Sequence, residues 1–394
     1  MVPAADQSDL SPIQAALFTP RRAPGEALRA EPAQALTLIS AAGVGSARYR
    51  ALLNAFGSPG EALKASERAL CQVPGIEAVT AAAIHAAARQ GTGEKLLEAL
   101  SRCGARIVSI WDSEYPRLLK EIHDPPALLF VRGELPCAGE FCFAIVGTRH
   151  PGLYGMKQAH VFATDLAAAG VAVVSGMARG VDTSAHDGAL QARGRTFAVF
   201  GCGVDIIYPA ENRSLAERIA ASGGLISEFL PGVEPDPGLF PRRNRIISGL
   251  CRGVLVVQGS ETSGALITAR YALDQNRDIF ALPGNVDDRR SRGPHRLLRE
   301  GAILAESAQD VLRELGRGGS AGEEEGGREA PKLPALTPSE ESLLARIESE
   351  PVHIDQLVRD LSRPVASVLA DLLGLEMKGW ITQSPGKLFT RKQY

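Results

Sequence analysis

Six short apolar runs, at 141–146, 171–174, 196–200, 225–227, 254–257 and 279–282, dominate the middle of this 394-residue chain. They are rich in Val, Ile and Phe and lack the apolar/polar alternation of a strand with one wet face. Strands of that kind are buried on both sides, which a parallel sheet covered by helices requires. Helical patterns fall between them, at 156–169, 183–193, 214–222, 242–250 and 265–276. The alternation predicts an α/β fold, an extended Rossmann-like, doubly wound parallel sheet spanning 105–315.

On either side the composition changes. Residues 1–32 are rich in Ala, Pro and Arg without periodicity and read as a disordered leader. Residues 33–104 form an Ala/Leu-rich, all-helical unit of SAM or helix-hairpin-helix type. Its Gly43–Gly45 turn before Arg48 can offer backbone N–H groups to a phosphate, or can simply pack two helices. In the second candidate hairpin, Glu77 stands where a second glycine is expected, and a carboxylate there repels phosphate. Residues 316–335, dense in Gly and Glu, read as a flexible linker. Residues 336–394 suggest a winged-helix-like unit with 364–377 as the would-be recognition helix. That helix carries Asp371 and Glu376, with only Lys378 at its end, so contact with protein is favoured over groove reading.

The net charge of −2 means that any nucleic-acid site is a local patch rather than a property of the whole chain. The six cysteines form no C-x-x-C pair and have no histidines at ligand spacing, which predicts reduced thiols, no metal and a cytoplasmic location. No apolar stretch is long enough for membrane insertion, and no nucleotide-cofactor fingerprint occurs, so no cofactor is expected.

Ligands of open α/β sheets bind outside the carboxyl ends of the strands. There this chain has Gly147-Thr148-Arg149, then Ser175-Gly176 leading to Arg179-Gly180, then Gly201-Cys202-Gly203, and Ser263-Gly264 opening a helix. Glycines let a phosphate approach the backbone, and helix starts supply positive potential. Phe240-Pro241-Arg242-Arg243-Asn244-Arg245 adds three guanidinium groups within one helical turn, which Pro241 is suited to start. Its arginines either converge on one anion or make ordinary surface pairs. Phe240, placed just outside the turn, either stacks on a base or packs in the core. Arg277 ends a helix just before a strand, away from these loops, where it compensates the helix dipole or serves a ligand. Asp182, His186 and Asp187 suggest acid–base chemistry, but Asp182 fits an N-cap and His186 a packed, hydrogen-bonded ring.

The ordered motifs 146–149, 175–182 with Ala185-His186, 203–209, 240–249, 263–268 and 282–284 closely resemble the DprA (Smf) family of DNA-processing proteins. The resemblance implies a Rossmann-like domain that binds single-stranded DNA, dimerises, and hands the strand to the RecA recombinase in natural transformation, with no catalytic step. Duplex binding is left open. It also implies roles for particular residues. Arg149 holds a phosphate, with Gly147 and Thr148 in the same loop, and Gly176 and Arg179 belong to the second loop. Phe240 stacks on a base, while Arg242, Arg243, Asn244 and Arg245 line the pocket. Ser263 and Gly264 supply helix-start donors, and Arg277 stands at the pocket edge. The competing class is a Rossmann-type nucleotide phosphoribohydrolase, whose Pro-Gly-Gly-x-Gly-Thr segment is not reproduced at 259–264 or 283–285. A scaffold for an acidic protein partner is the remaining alternative.

Overall fold

The computed structural model describes Glu26 and residues 29–316, 336–347, 351–361, 363–384 and 386–391. Nearly all of the expected leader and linker lies outside the described residues. The chain divides into two compact units, Met1–Gly319 and Ser320–Tyr394.

The first unit begins with helices α1 (Pro32–Ser40), α2 (Ser46–Phe56), α3 (Pro59–Lys64), α4 (Glu67–Leu70), α5 (Ala78–Gln90) and α6 (Thr92–Cys103). The chain then runs through β1 (Ala105–Ser109), α7 (Arg117–Lys120), β2 (Leu128–Gly133), β3 (Cys142–Val146), α8 (Leu153–Ala168), β4 (Ala172–Ser175) and α9 (Val181–Gln191). It continues with β5 (Thr196–Val199), α10 (Arg213–Ser222), β6 (Gly224–Ser227), α11 (Leu239–Gly249), β7 (Gly253–Val256) and α12 (Gly264–Asp274). It closes with β8 (Asp278–Ala281), α13 (Arg292–Arg299), β9 (Ile303–Leu304) and α14 (Ala308–Glu314).

The sheet order is β1-β2-β6-β5-β4-β3-β7-β8-β9. From β6 to β9 every pairing is parallel, and each of the six apolar runs forms a strand in this part. β2 joins β6 antiparallel and β1 joins β2 antiparallel, so the expected parallel sheet carries an antiparallel margin. β1 has a weak sequence signature because Arg106 interrupts its apolar pattern, whereas β2 carries a continuous apolar run at 128–131 that lies outside the strand–helix alternation. β9, with two residues, is too short to have one.

Side-chain alternation along the strands builds cores on both faces. Phe143 and Ile145 of β3 pack with Phe162 of α8 and Ala185 of α9. Ala144 and Val146 meet Ile246 of α11 and Ala269 of α12 on the other side. The helical unit is not isolated from the sheet, since Leu36, Tyr49, Leu52 and Ile84 share a core with Leu128, Phe130, Ala198 and Leu225. At its first glycine turn Arg48 donates to the Gly43 carbonyl (2.6 Å), which engages the nearest cation within the turn itself.

The second unit contains α15 (Pro338–Leu344), β10 (Val352–His353), α16 (Ile354–Leu361), α17 (Val365–Met377), β11 (Ile381–Ser384) and β12 (Leu388–Arg391), with sheet order β10-β12-β11. Leu343, Leu357, Val368, Leu372, Leu375, Ile381 and Phe389 form its core. Three helices and a small antiparallel sheet are the winged-helix arrangement. Asp371 accepts from Arg363 and Ser339, and Lys378 pairs with Glu340 at 2.6 Å, so the charges nearest α17 are bound within the unit.

Candidate functional site

In the parallel part of the sheet, β3 is the switch point. The chain leaves it for β4 on one side, and β7 later pairs with it on the other, so the loops after β3 and β7 diverge and open a crevice. A cleft of about 840 Å³ lies there, lined by Gly147, Thr148, Arg149 and His150, by Tyr208, by Phe240, Arg243 and Asn244, and by Ser260, Ser263, Gly264 and Thr268. A smaller recess beside it is lined by Arg149, Gly176, Arg179, Tyr208 and Phe240.

The centre of the site is a stack. The Arg149 guanidinium carbon lies 5.1 Å from the centroid of the Phe240 ring. Tyr208 lies against the same ring, with centroids 5.7 Å apart and planes tilted by 38°. Arg149 makes no ion pair among the described residues. A guanidinium held over an aromatic ring keeps its N–H donors available in plane while its face is desolvated. α12 points its N-terminus into the cleft, with Ser263 as the N-cap whose hydroxyl accepts from Ala265 N (3.4 Å). This end supplies positive potential and free N–H groups.

Two glycine loops provide room for site side chains. A Cβ on Gly176 would stand 2.7 Å from Arg243 Nη2, and one on Gly201 would stand 2.6 Å from Phe240 Cδ1. These glycines, which the sequence suggested as part of a phosphate cradle, therefore seat Arg243 and Phe240.

The arginine cluster does not act as a single patch. α11 starts at Leu239, so Phe240 and Pro241 lie inside its first turn instead of before it. Successive residues on a helix are about 100° apart, which turns Arg243 away from Arg242 and Arg245. Arg242 is exposed, lies outside the lining of the cleft, and sits 5.8 Å over the Phe229 ring. Arg245, three residues on and on nearly the same side as Arg242, is drawn into a bidentate pair with Glu228 (2.6 and 2.7 Å), and its Nε donates to the Asp124 carbonyl. Only Arg243 reaches the cleft wall, where it is 4% exposed. Its guanidinium donates to the carbonyls of Gly176 (2.8 Å) and Val199 and to Asn244 Oδ1 (3.1 Å). Burial pulls its pKa down to about 10, which leaves it charged at neutral pH. Asn244 in turn donates to Gly264 O (3.3 Å) and so ties α11 to the start of α12.

Asp182 is not an N-cap. Gly180 occupies that position, and Asp182 Oδ2 instead accepts from Gly176 N (3.1 Å) and Ala178 N (3.3 Å), clamping the loop after β4. Burial pushes its carboxyl up to about 6, against the pull of Arg243 and these N–H donors. His186 is fully buried, with Nδ1 2.7 Å from Thr196 Oγ1, and burial lowers its pKa to about 3. Thr196 donates its hydroxyl hydrogen to Val173 O, so it accepts from His186, and the ring is the neutral Nδ1–H tautomer. Asp187 pairs with Arg218 at 2.9 Å. The three groups do not form an acid–base set.

Arg179 borders the smaller recess but is engaged in a bidentate pair with Glu211. Arg277 is elsewhere. It immediately precedes β8 and therefore stands at the amino end of a parallel strand, opposite the cleft. There it lines, with Leu273, Ile279 and Leu297, a second cavity of about 400 Å³ that runs along α12 and meets the cleft lining only at Ser263 and Ile267, and it donates to Leu118 O (3.0 Å). The expected placement at the pocket edge does not hold. The sequence reading also missed Tyr208, which belongs to the 203–209 motif but whose approach to Phe240 is a tertiary contact. Among the described residues there is no cluster of metal-ligating side chains and no helix long and apolar enough to cross a membrane.

A switch-point cleft with an unpaired guanidinium, an aromatic floor and a helix N-terminus defines an α/β binding domain suited to an anion that also carries flat rings. Comparison with known proteins narrows this class. The DNA recombination-mediator protein A family matches residues 106–316, a DprA winged helix domain matches 327–387, and a SAM-like helix-hairpin-helix tandem matches 35–90. Protein Smf of Escherichia coli is 42% identical over 284 residues, covering 70% of this chain and 75% of that one. The DNA processing protein DprA of Bacillus subtilis is 40% identical over 250 residues, covering 61% of this chain and 84% of that one. The X-ray structure of DNA processing protein A from Streptococcus pneumoniae superposes with a TM-score of 0.62 at 35% identity, covering 71% of this chain and 95% of that one. The chain belongs to the DprA/Smf family of DNA-processing proteins.

Proposed function

We propose that the switch-point cleft holds single-stranded DNA and that the chain, as a homodimer through its Rossmann-like unit, presents the bound strand to a RecA-type recombinase in the cytoplasm during natural transformation, without a catalytic step of its own. The observation that carries this reading is the Arg149–Phe240–Tyr208 stack in the lining of the cleft. An unpaired guanidinium neutralises a backbone phosphate, and the adjoining rings offer a base a face to stack on. Every base has such a face, so binding of this kind tolerates sequence. The N-terminus of α12, with Ser263 and Gly264, supports a second phosphate, and Gly147 and Thr148 let the backbone approach closely. Arg243 and Asn244 shape the wall, and Arg179 contributes only where a strand displaces Glu211. Family membership supports the same reading.

The test is a titration of a labelled single-stranded oligonucleotide at several salt concentrations. Arg149→Ala is expected to weaken binding by about 1.5–3 kcal/mol and to flatten the salt dependence by roughly one phosphate contact. Arg277→Ala, which changes the second cavity, is expected to leave affinity unchanged. Equal affinity of wild type and Arg149→Ala at moderate salt would overturn the assignment.

A further inference from the structure

Among the described residues no hydrogen bond or ion pair holds the Arg149 guanidinium, so its place over the Phe240 ring is inherited from the backbone of loop 148–152, which joins β3 to α8. One residue grips both ends of that loop. The main-chain carbonyl of Gln258 accepts from Thr148 N (2.7 Å), and its side-chain Oε1 accepts from Gly152 N (3.0 Å). The loop's further tether, Val181 N to Thr148 O (3.3 Å), is again at the Thr148 end, so the Gly152 end rests on the Gln258 side chain. Gln258 follows β7, is 2% exposed and is not part of the cleft lining. It therefore holds the loop from behind, without meeting a bound strand.

The two partners of this carboxamide need opposite chemistry. The Gly152 N–H is a donor and requires an oxygen, while on the other side Nε2 donates to Asp288 Oδ2 (3.4 Å), which requires a nitrogen. Asp288 is an anion, because hydrogen bonding from Arg290 holds its carboxyl below the usual range, and Arg290 Nε donates to both of its oxygens (2.9 and 3.1 Å). Backbone bonds tie the same segment to the loop after β7, with Gly259 N donating to Arg290 O (2.6 Å) and Gly293 N to Gly259 O (2.8 Å). The fit is close. A Cβ on Gly155 would stand 2.1 Å from Gln258 Oε1, so the carboxamide lies against the backbone of the first turn of α8.

We propose that Gln258 is a positioning residue for strand binding: by joining the Arg149 loop to the 288–290 segment, it holds the guanidinium at the Phe240 ring before a phosphate arrives. The inference rests on the reading of the cleft as the strand site. Ordering a loop and a long side chain on binding subtracts from affinity, and a support that orders them beforehand removes that cost. Without the carboxamide, the Gly152 N–H loses its acceptor and the Arg149 end of the stack loses its anchor.

The experiment titrates a labelled single-stranded oligonucleotide with the full chain over a series of salt concentrations, at a temperature where thermal melts show each variant folded. Gln258→Met keeps the length of the side chain without its polar atoms. It is expected to weaken binding about tenfold while keeping the wild-type salt slope, since no phosphate contact is removed. Arg149→Ala combined with Gln258→Met is expected to bind no more weakly than Arg149→Ala alone, because Gln258 acts through Arg149; a general structural loss would add to it instead. Gln258→Glu sets a second carboxylate beside Asp288 and is expected to weaken binding too, and adding Asp288→Asn, which exchanges donor and acceptor, is expected to restore affinity to within about threefold. Wild-type affinity in Gln258→Met, or additive losses in the combined variant, would overturn the proposal. Should Gln258→Met not fold, failure of Asp288→Asn to restore binding to Gln258→Glu overturns it as well. An Arg149→Ala chain that binds like wild type would instead sink the reading of the cleft, so the two failures are told apart.

Discussion

Replacing Arg243 by Met would take donors away from the carbonyls of Gly176 and Val199 and remove the cation facing the buried Asp182. Breaking such a buried arrangement from one side costs about 3–5 kcal/mol, so urea unfolding should show a loss of that order, well above the effect of an exposed arginine such as Arg242. His186 makes a pH prediction at the same scale. Its folded pKa lies below its ordinary 6.5, at about 3, so the folded state binds fewer protons than the unfolded chain between these values. The stability it confers is present above pH 6.5 and is lost as pH falls toward 3. Asp182 works in the opposite sense, because its raised pKa makes its contribution complete below 3.8 and lost as pH rises through about 6. His186→Asn keeps a donor at the Nδ1 position without a titrating ring. It is expected to flatten the decline of melting temperature below pH 6.5, and an unchanged slope would contradict the assignment.

At the level of elements, the site depends on how loops seat helices. Gly201 approaches Phe240 so closely that a methyl group there must push the ring away from Tyr208 and Arg149. Gly201→Ala is therefore expected to reduce oligonucleotide affinity severalfold in a folded protein, and a fluorescence titration beside a thermal melt separates this effect from unfolding. Much of this level was legible in the chain. Continuous Val/Ile runs identified the parallel strands, and glycine after a strand marked the loops. The antiparallel pair β1 and β2 was not legible in the same way: β1 is broken by Arg106, while the apolar run 128–131 of β2 is as continuous as those of the parallel strands but lies outside the strand–helix alternation. α11 also begins earlier than Pro241 suggested, because proline is tolerated throughout a first turn, where no intrahelical N–H bond is needed.

For the whole molecule, the two compact units make a separable prediction. Removing residues 320–394 deletes a unit with its own core and leaves the switch-point cleft complete. The truncated chain is expected to retain oligonucleotide binding within about threefold. A collapse of binding on truncation would mean that the second unit contributes directly to the strand. What the sequence by itself determined is the inventory: a doubly wound sheet, glycine-rich loops at its carboxyl ends, and an aromatic beside the arginines of one of the covering helices. The tertiary structure decided which members of that inventory share a cleft. Direction on a helix changes by about 100° per residue, so Arg243 points away from Arg242 and Arg245, and those two are told apart only by the partners they find, Phe229 and Glu228. A strand has two ends, and so Arg277 faces a different cavity from Arg149. Tyr208 and Phe240, separated by more than thirty residues in sequence, meet only because the loop after β5 folds over the start of α11.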